Sequence, residues 1–379
     1  MQVIIIGAGI GGLTTAIALQ QRGIAATVYE RSPQLRTSGA GISLWPNASR
    51  LLQRLNLLEA LLGQGEQILH TQICSSQGRP LTQLDLTTFP DPAFCIQRSV
   101  LLQTLAAALL PGTLHLDHDL TQVDRDHQQV TARFRQGQDV TADLLVAADG
   151  LHSTVRSQFW AGPAPQYQGY LAWRGVVRQQ KISDWPSGLA RQYWGAGQRV
   201  GLLSMGGDQM YWFAALNHPS PQPNLDGLDK LTYLKRRFQH WHPHVQTILE
   251  NTASADLLVH PIETSPPLQT WHQGRVLLLG DAAHAMTPNL GQGACMAIED
   301  GVCLAQRLQS QRSLPAALVS YERQRRGRVR WVQRRSQRLG QVGQLEPPLL
   351  AHLRNLALAL VPAPLTRLTT FDPLFSHRL

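Results

Sequence analysis

Three short stretches, far apart in a chain of 379 residues, carry side chains and glycines able to do chemistry together. The first is Gly7, Gly9 and Gly12 in the run GAGIGG, followed by Glu30. This GxGxxG spacing is a grip for a pyrophosphate: Gly7 permits a tight turn, Gly9 lets the backbone approach the phosphates, and Gly12 lets a helix pack close behind. The phosphates then meet free N–H groups at a helix N-terminus, and Glu30 accepts hydrogen bonds from an adenosine ribose. The second stretch is AADGLHSTVR with Asp149, and the third is GDAAHAMTPNLGQGACMAIED with Asp281, Gly291 and Gly293. A carboxylate at a strand end binds ribityl hydroxyls, and N–H groups bared by glycines bind an acceptor.

The elements that must position these groups are legible around them. Residues 2–6, QVIII, read as a buried strand, residues 13–21 carry helical periodicity, and residues 25–29 read as a second strand ending at Glu30. Strand, glycine turn, helix, strand and acid make a dinucleotide site. NAD, NADP and FAD all use this grip, and an acid at the ribose speaks against NADP. Further strands end at Asp149 and, through VLLL, at Gly280 and Asp281. From about residue 167 to 260 the pattern changes to alternating strands, YLAWRGVV, RVGLLSM and QMYWFAAL, separated by turns such as Gly206-Gly207-Asp208. An antiparallel sheet is predicted there, with Trp173, Arg174, Arg199, Tyr211 and Trp212 as pocket candidates. An arginine and a tyrosine in such a sheet can fix an anionic substrate and assist its deprotonation. Core packing or a sheet-face ion pair would place the same residues there.

Composition bounds the answer. Hydrophobic residues at 43% and charged residues at 16% describe a folded chain. Its length suggests two joined domains, because single cores stop growing at roughly 250–300 residues. Cys74, Cys95, Cys295 and Cys303 show no CxxC spacing, so neither a metal site nor a disulfide framework is expected, and a reducing compartment is. The apolar run at the N-terminus is too short for a signal peptide or a membrane span, which points to the cytoplasm. Of the net charge of +9, much lies in Arg323, Arg325, Arg326, Arg328, Arg330, Arg334, Arg335 and Arg338. This segment reads as the solvated face of a long helix, or as a surface for anionic lipid, nucleic acid or cofactor phosphates. No nucleic-acid role is expected, since stacking aromatics and reading motifs are missing there. An apolar helical stretch at residues 349–360, between prolines, is too short to span a bilayer. It reads as a cap on the substrate domain, or as a peripheral membrane contact.

Taken together, GAGIGG with Glu30, AADGLHSTVR and GDAAHAMTPNLGQG resemble the flavoprotein monooxygenases with the para-hydroxybenzoate hydroxylase fold. The stretch HAMTPNLGQGACMAIED looks most like zeaxanthin epoxidase and bacterial relatives that include FAD-dependent urate hydroxylase. The similarity runs over nearly the whole chain in the same order. It implies an α/β fold: a Rossmann-like (GR2-type) FAD-binding domain over residues 1–70, 97–165 and 268–345, an inserted antiparallel-sheet substrate domain over 71–96 and 166–267, and C-terminal helices over 346–379. It implies FAD as cofactor and NADPH or NADH as a transient electron donor without a Rossmann domain of its own, since residues 195–201 lack the helix a second fingerprint needs. It further implies that a monomer or homodimer inserts oxygen from O₂, through a shielded C4a-hydroperoxyflavin, into a small aromatic or olefinic substrate.

The resemblance also assigns residues. Gly7, Gly9, Gly12, Glu30 and Arg31 would hold the ADP half of FAD, Gly41 and Ser43 would run beside the flavin, Arg98 would reach it from a helix start, and Val123 would lie near the adenine. Asp149 would serve a motif shared by FAD and the nicotinamide cofactor, and Asp281 would bind the ribityl chain. Gly291, Gln292, Gly293, Ala294 and Cys295 would supply backbone donors at the N1 and C2-carbonyl edge, where a helix N-terminus stabilises anionic reduced flavin. His284 reads as a packed histidine beside the cofactor or as a catalytic group, and the thiols of Cys295 and Cys303 as small core residues. Arg199 and Tyr211 match positions used in the urate hydroxylase. Asn289 departs from that enzyme, which has an acid after the motif proline; an amide is no base at neutral pH, so urate is disfavoured. Two rival readings stand beside this one: a flavin-dependent reductase of the same fold, and a non-catalytic flavin-binding or membrane-associated protein. A halogenase is a weak third, because no WxWxIP segment is present.

Overall fold

The computed structural model describes residues 1–35, 40–137, 139–182, 184–223, 225 and 227–379. Strand Gln2–Ile6 lies between Leu144–Ala147 and Ala25–Tyr29, parallel to both, in a six-stranded sheet that Val276–Leu278, His272–Gln273 and Leu114–His115 complete. Strands buried on both faces need unbroken apolar runs, and Val3, Ile4 and Ile5 are fully buried. Burying each such side chain stabilises the fold by roughly 1.5–3 kcal/mol. The three chemistry-bearing stretches all leave the carboxyl ends of neighbouring strands, after Ile6, Ala147 and Leu278. That edge of an open parallel sheet is where ligands bind.

Two helices aim at this edge. Helix Ile10–Gln20 and helix Gly293–Ser310 pack side by side. A Cβ on Gly11 would meet the Ala297 side chain at 3.2 Å, and one on Gly301 would meet Thr15 Oγ1 at 2.6 Å. The contacts therefore advance together along both chains. The helices are parallel, with their N-termini side by side.

A seven-stranded sheet stands over that edge, in the order Leu258–Thr264, Gln166–Arg178, Gln209–Asn217, Gln198–Ser204, Leu189–Trp194, His70–Ser75, Pro80–Asp85. All its pairings are antiparallel except Leu189–Trp194 with His70–Ser75. The three alternating runs predicted from sequence lie in three of these strands. Two helices, Lys230–Phe238 and Pro243–Glu250, interrupt the stretch where only strands were expected. They bury the outer face of the sheet in a second core that includes Trp173, Tyr193, Trp212, Leu234 and Phe238. A small sheet of Gly41–Leu44, Ala93–Gln97 and Glu66–Ile68 meets the inner face, where Gly41 lies against the Tyr211 ring.

Helix Leu314–Gly343 runs along Gly293–Ser310, and helix Pro348–Leu360 follows it beside Pro80–Asp85. The chain end then returns to the first core. Leu374 and Phe375 are buried there, and Phe375 stacks on Trp45 with ring centroids 5.5 Å apart. Arg50 fixes this end by donating to the carbonyls of Phe375 and His377, at 2.9 and 2.8 Å. The tail thus lies against the edge of the large sheet, as a cap on the substrate domain would, and its end also enters the first core. Among the described residues no helix is long and apolar enough to cross a membrane.

Candidate active site

The sheet edge is built for a ligand with phosphates. Helix Ile10–Gln20 begins at Gly9 with no side-chain cap and no acid in its first turn, so its leading N–H groups have no partner within the helix. A Cβ on Gly9 would meet nothing within 4 Å, so space lies open beside those groups. A Cβ on Gly12 would sit 2.0 Å from the Gly7 carbonyl oxygen, so the turn closes only around glycine. The Glu30 carboxylate accepts the Ala8 N–H at 2.9 Å and the Ser32 N–H at 3.0 Å. It is thereby oriented at its strand end, with acceptor capacity left for a ribose.

Further along the edge stand polar groups that lack partners. Asp149 Oδ1 is buried with no hydrogen bond, beside Gly150, where a Cβ would also meet open space. Burial raises this carboxyl above the usual carboxylate range, although the Ser153 side chain and nearby backbone N–H groups favour its charged form. Gln292 Nε2 and Trp45 Nε1 are buried donors without acceptors. Helix Gly293–Ser310 has no side-chain cap and no acid in its first turn, and Gly291 before it adopts the left-handed conformation at φ 63°. The Asp281 Oδ1 lies 4.0 Å from where a Gly293 Cβ would be. Two uncapped helix N-termini open on this edge, with the unpartnered donors Gln292 Nε2 and Trp45 Nε1 beside the second, and this arrangement suits a ligand with acceptors at both ends. FAD, with its pyrophosphate and its N1 and C2-carbonyl edge, fits that pattern.

A buried ion network holds the second helix in place. Arg325 is fully buried and donates to Glu299 at 2.5 Å and to Asp300 at 2.8 Å. Asp300 also pairs with His284 Nε2 at 2.6 Å and accepts the Gly280 N–H at 3.2 Å. Glu299 takes the Asn47 amide at 2.8 Å and Arg328 at 3.1 Å, and Asn47 reaches Gln292 at 3.0 Å. Burial disfavours the charge on Glu299 and Asp300, but Arg325 and then Arg328 outweigh it at Glu299, and His284 and then Arg325 outweigh it at Asp300. Both carboxyls are held below their ordinary range. The arginine-rich helix is therefore no simple solvated face: Arg325 is buried, while Arg323, Arg334 and Arg338 are exposed.

The inner face of the large sheet presents the side chains expected to meet a substrate. Side chains alternate along a strand, so Tyr211, Phe213, Ala215 and Asn217 share one face and Met210, Trp212, Ala214 and Leu216 the other. The second set lies in the outer core. Trp173 and Trp212, expected in the pocket, are therefore packed away from it: Trp173 stacks on Tyr233, and Trp212 Nε1 donates to Thr252 at 2.9 Å. Arg174 and Tyr211, one residue away from each in sequence, take the inner face. On that face Arg199, which is 3% exposed, donates to Gln344 Oε1 at 2.8 Å and to Asn289 Oδ1 at 2.5 Å. Asn289 is also within 3.2 Å of the Tyr170 hydroxyl and donates to the Ser336 carbonyl at 2.9 Å. Burial pushes Arg199 down to about 10, so it stays cationic at neutral pH, and burial raises the Tyr170 phenol.

The structure thus joins Arg199 to Asn289, two residues before Gly291. Tyr211 stands apart, four residues along its strand from Ala215, the register partner of Arg199, a separation of roughly 13 Å. Phe213 lies between them over Gly201, where a Cβ would sit 2.2 Å from the ring. Tyr211 is 8% exposed and its phenol is raised by burial. Gly41 and Ser43 lie on the strand beside it, and Arg98 opens helix Arg98–Ala107 next to that strand. Arg31 is exposed beyond Glu30. The N–H of Val123 donates to Gln158 and its carbonyl accepts from the same amide, at 3.0 and 2.7 Å. Cys295 is fully buried, with its thiol pushed up to about 12 by burial, as a core residue would be. Sequence reasoning missed Tyr170, Gln344, Asn47 and the Arg325 network. Only the arginine-rich helix signalled any of them, and it did not mark which arginine turns inward.

Known proteins share this arrangement. A family profile described as FAD binding domain matches residues 1–336. The aurachin C monooxygenase/isomerase of Stigmatella aurantiaca is 37% identical over 363 residues, 94% of this chain and 93% of that protein. The 2-heptyl-3-hydroxy-4(1H)-quinolone synthase of Pseudomonas aeruginosa is 32% identical over 367 residues, covering 96% and 94%. Klebsiella pneumoniae HpxO, solved with FAD and uric acid, superposes with a TM-score of 0.91 at 28% identity, covering 99% of this chain and 97% of that one. Fold and site together define a flavin monooxygenase of the para-hydroxybenzoate hydroxylase fold, an oxidoreductase with FAD as its cofactor. The chain belongs to the FAD-binding family whose profile spans most of its length.

Proposed function

We propose that this enzyme uses NADH or NADPH to hydroxylate a small, electron-rich N-heteroaromatic ring that bears a ring oxygen and an apolar substituent. The observation that carries the reading is the pairing of buried, cationic Arg199 with Asn289, two residues from Gly291. Arg199 has five N–H donors, and hydrogen bonds to Gln344 and Asn289 leave others for a ring oxygen. No base works in this cluster at neutral pH: Asn289 is neutral, Tyr170 and Tyr211 are raised by burial, and Arg199 remains protonated. A ring already rich in electrons needs no strong base. Urate, in an enzyme lacking an acid at this position, is served less well. The quinolone named for one relative fits these demands.

Bound FAD supplies the oxygen-activating chemistry. In this reading Gly7, Gly9, Gly12 and Glu30 grip its ADP half, with Arg31, Arg98 and Val123 nearby. Asp149 and Asp281 take ribityl or nicotinamide hydroxyls, and the backbone of residues 291–295 donates to the ring edge. Arg199 orients the substrate oxygen, Phe213 and Tyr211 floor the ring and exclude water, and Asn289 sets the guanidinium. The domain division at residues 70, 97, 165, 268 and 345 belongs to the same proposal. The test is NADH and NADPH oxidation, with hydrogen peroxide and product mass, against 4-quinolones with and without an alkyl chain, urate and simple phenols. A coupled product heavier by one oxygen atom from an alkylquinolone supports the reading. Urate as the best substrate, or complete diversion to peroxide with every ring, overturns it.

A further inference from the structure

The last long helix, Pro348–Leu360, turns its leucines to solvent and hides an arginine. Leu349, Leu353, Leu356 and Leu360 are 69%, 51%, 44% and 81% exposed, while Arg354 is 6% exposed. Their spacing of four, three and four residues puts the leucines on one helix face. Arg354 sets the orientation: Nη1 donates to the Gly343 carbonyl and Nη2 to the Gly195 carbonyl, both at 3.0 Å, and its guanidinium lies over Trp194. The apolar face is therefore pinned outward. Val361, Leu365 and Leu368, which follow in the chain, are exposed as well. A contiguous exposed apolar patch of this kind marks a contact surface.

Charge chooses the occupant. From Leu314 to the end the chain has eleven arginines, no lysine and three carboxylates; Arg325 and Arg354 are buried, while Arg323, Arg334, Arg338 and Arg378 are exposed. Exposed Arg334 and Arg338 stand at i and i+4 on one stripe of helix Leu314–Gly343, and Val342 at i+8 extends it. The Val342 carbonyl accepts from Arg354 at 3.3 Å, so the arginine stripe meets the leucine helix there. A second copy of the chain would set two cationic surfaces against each other, which Coulomb repulsion opposes. An anionic lipid surface takes leucines at its acyl boundary and arginines at its phosphates. At thirteen residues the helix is too short to span a bilayer but suits its interface.

We propose that helix Pro348–Leu360, with Arg334 and Arg338 beside it, docks this enzyme on an anionic phospholipid bilayer. The inference does not rest on the substrate proposed above. Docking brings the Arg199 end of the cleft toward the lipid, since Gln344, which holds Arg199, sits between the two helices. The test is sedimentation of the FAD-loaded full chain with phosphatidylcholine vesicles, with and without phosphatidylglycerol. Binding is expected only with phosphatidylglycerol, and weakens as salt rises. The triple variant Leu349→Ser, Leu353→Ser, Leu360→Ser is expected to bind at least about tenfold more weakly with an unchanged flavin spectrum, because all three positions are already exposed. Arg334→Gln with Arg338→Gln is expected to flatten the salt dependence. A chain that stays in the supernatant with phosphatidylglycerol at low salt overturns the proposal, as does a triple variant that binds like the parent. A concentration-dependent dimer that the leucine changes abolish, without vesicle binding, assigns the face to a second copy instead.

Discussion

The two ends of the cleft are made of different material. The end we propose for FAD is built mainly from backbone, with glycine turns and two uncapped helix N-termini, and from carboxylates at strand ends. The end we propose for the substrate is built from side chains, most of them projecting from one face of a sheet: Arg199, Phe213, Tyr211 and the loop residue Asn289. Backbone recognition tolerates no Cβ and leaves a rigid residue spacing. Side-chain recognition depends on which face a strand turns inward, and neighbours from distant segments decide that.

The sharpest way to break the comparison is at Gly12. A Cβ there would sit 2.0 Å from the Gly7 carbonyl oxygen, a backbone atom that cannot yield. Gly12→Val is expected to abolish flavin binding and most soluble protein, read by flavin absorbance and circular dichroism. Gly9→Ala meets nothing within 4 Å, so it is expected to fold like the parent while losing FAD affinity by about tenfold or more, because the new methyl occupies the phosphate approach. Equal loss of folding in both variants would show that the turn serves packing alone.

Next in size is the network beneath the flavin-edge helix. Arg325→Met leaves buried Glu299 without its main cation and Asp300 with His284 alone, and breaking a buried pair in this way costs about 3–5 kcal/mol. Urea unfolding of the FAD-loaded protein measures it. The same groups set an acid limit. Their folded values lie below the unfolded ones near 4, so their contribution is complete above the unfolded values and is lost as pH falls through the lower folded ones. Acid unfolding at a pH no lower in the parent than in Arg325→Met would contradict this sign.

How much of this was legible follows the same division. The strand, turn, helix and acid of residues 2–30 were readable, because period and glycine spacing are local. The inner face of the sheet was not. Trp173 and Arg174 are adjacent, as are Tyr211 and Trp212, and a reading that is one residue out of phase sends every side chain to the other face. Only helices Lys230–Phe238 and Pro243–Glu250, which cover one face, settle the phase, and the strand pattern did not announce them. The inward turn of Arg325 in a run of eight arginines was hidden for a similar reason: the partner carboxylates lie on another helix.

At the substrate end, Arg199→Gln is expected to lower kcat/KM by about a hundredfold, a loss of roughly 2.7 kcal/mol, with the flavin spectrum unchanged. Loss of FAD together with activity would make Arg199 part of the cofactor end and blur the distinction.

The smallest effect expected is at Asn289. Asn289→Asp puts a carboxylate at the position where Asn289 Oδ1 now meets Arg199 at 2.5 Å, and also where its amide donates to the Ser336 carbonyl at 2.9 Å. The gain is an ion pair with a buried cation, and the cost is a lost donor and a carbonyl that then lacks it. These oppose each other, so the fold and the FAD content are expected to stay near those of the parent. Turnover is expected to change more than binding, by about three- to tenfold in kcat/KM, because the carboxylate neutralises the guanidinium that would orient a substrate oxygen. It also introduces a group able to accept a proton, so rings that need deprotonation, urate among them, should gain relative to rings that do not. Steady-state kinetics on a quinolone and on urate separate the outcomes. A reversed preference places Asn289 at the reacting ring, whereas unchanged kinetics with both substrates confine it to the packing of Arg199.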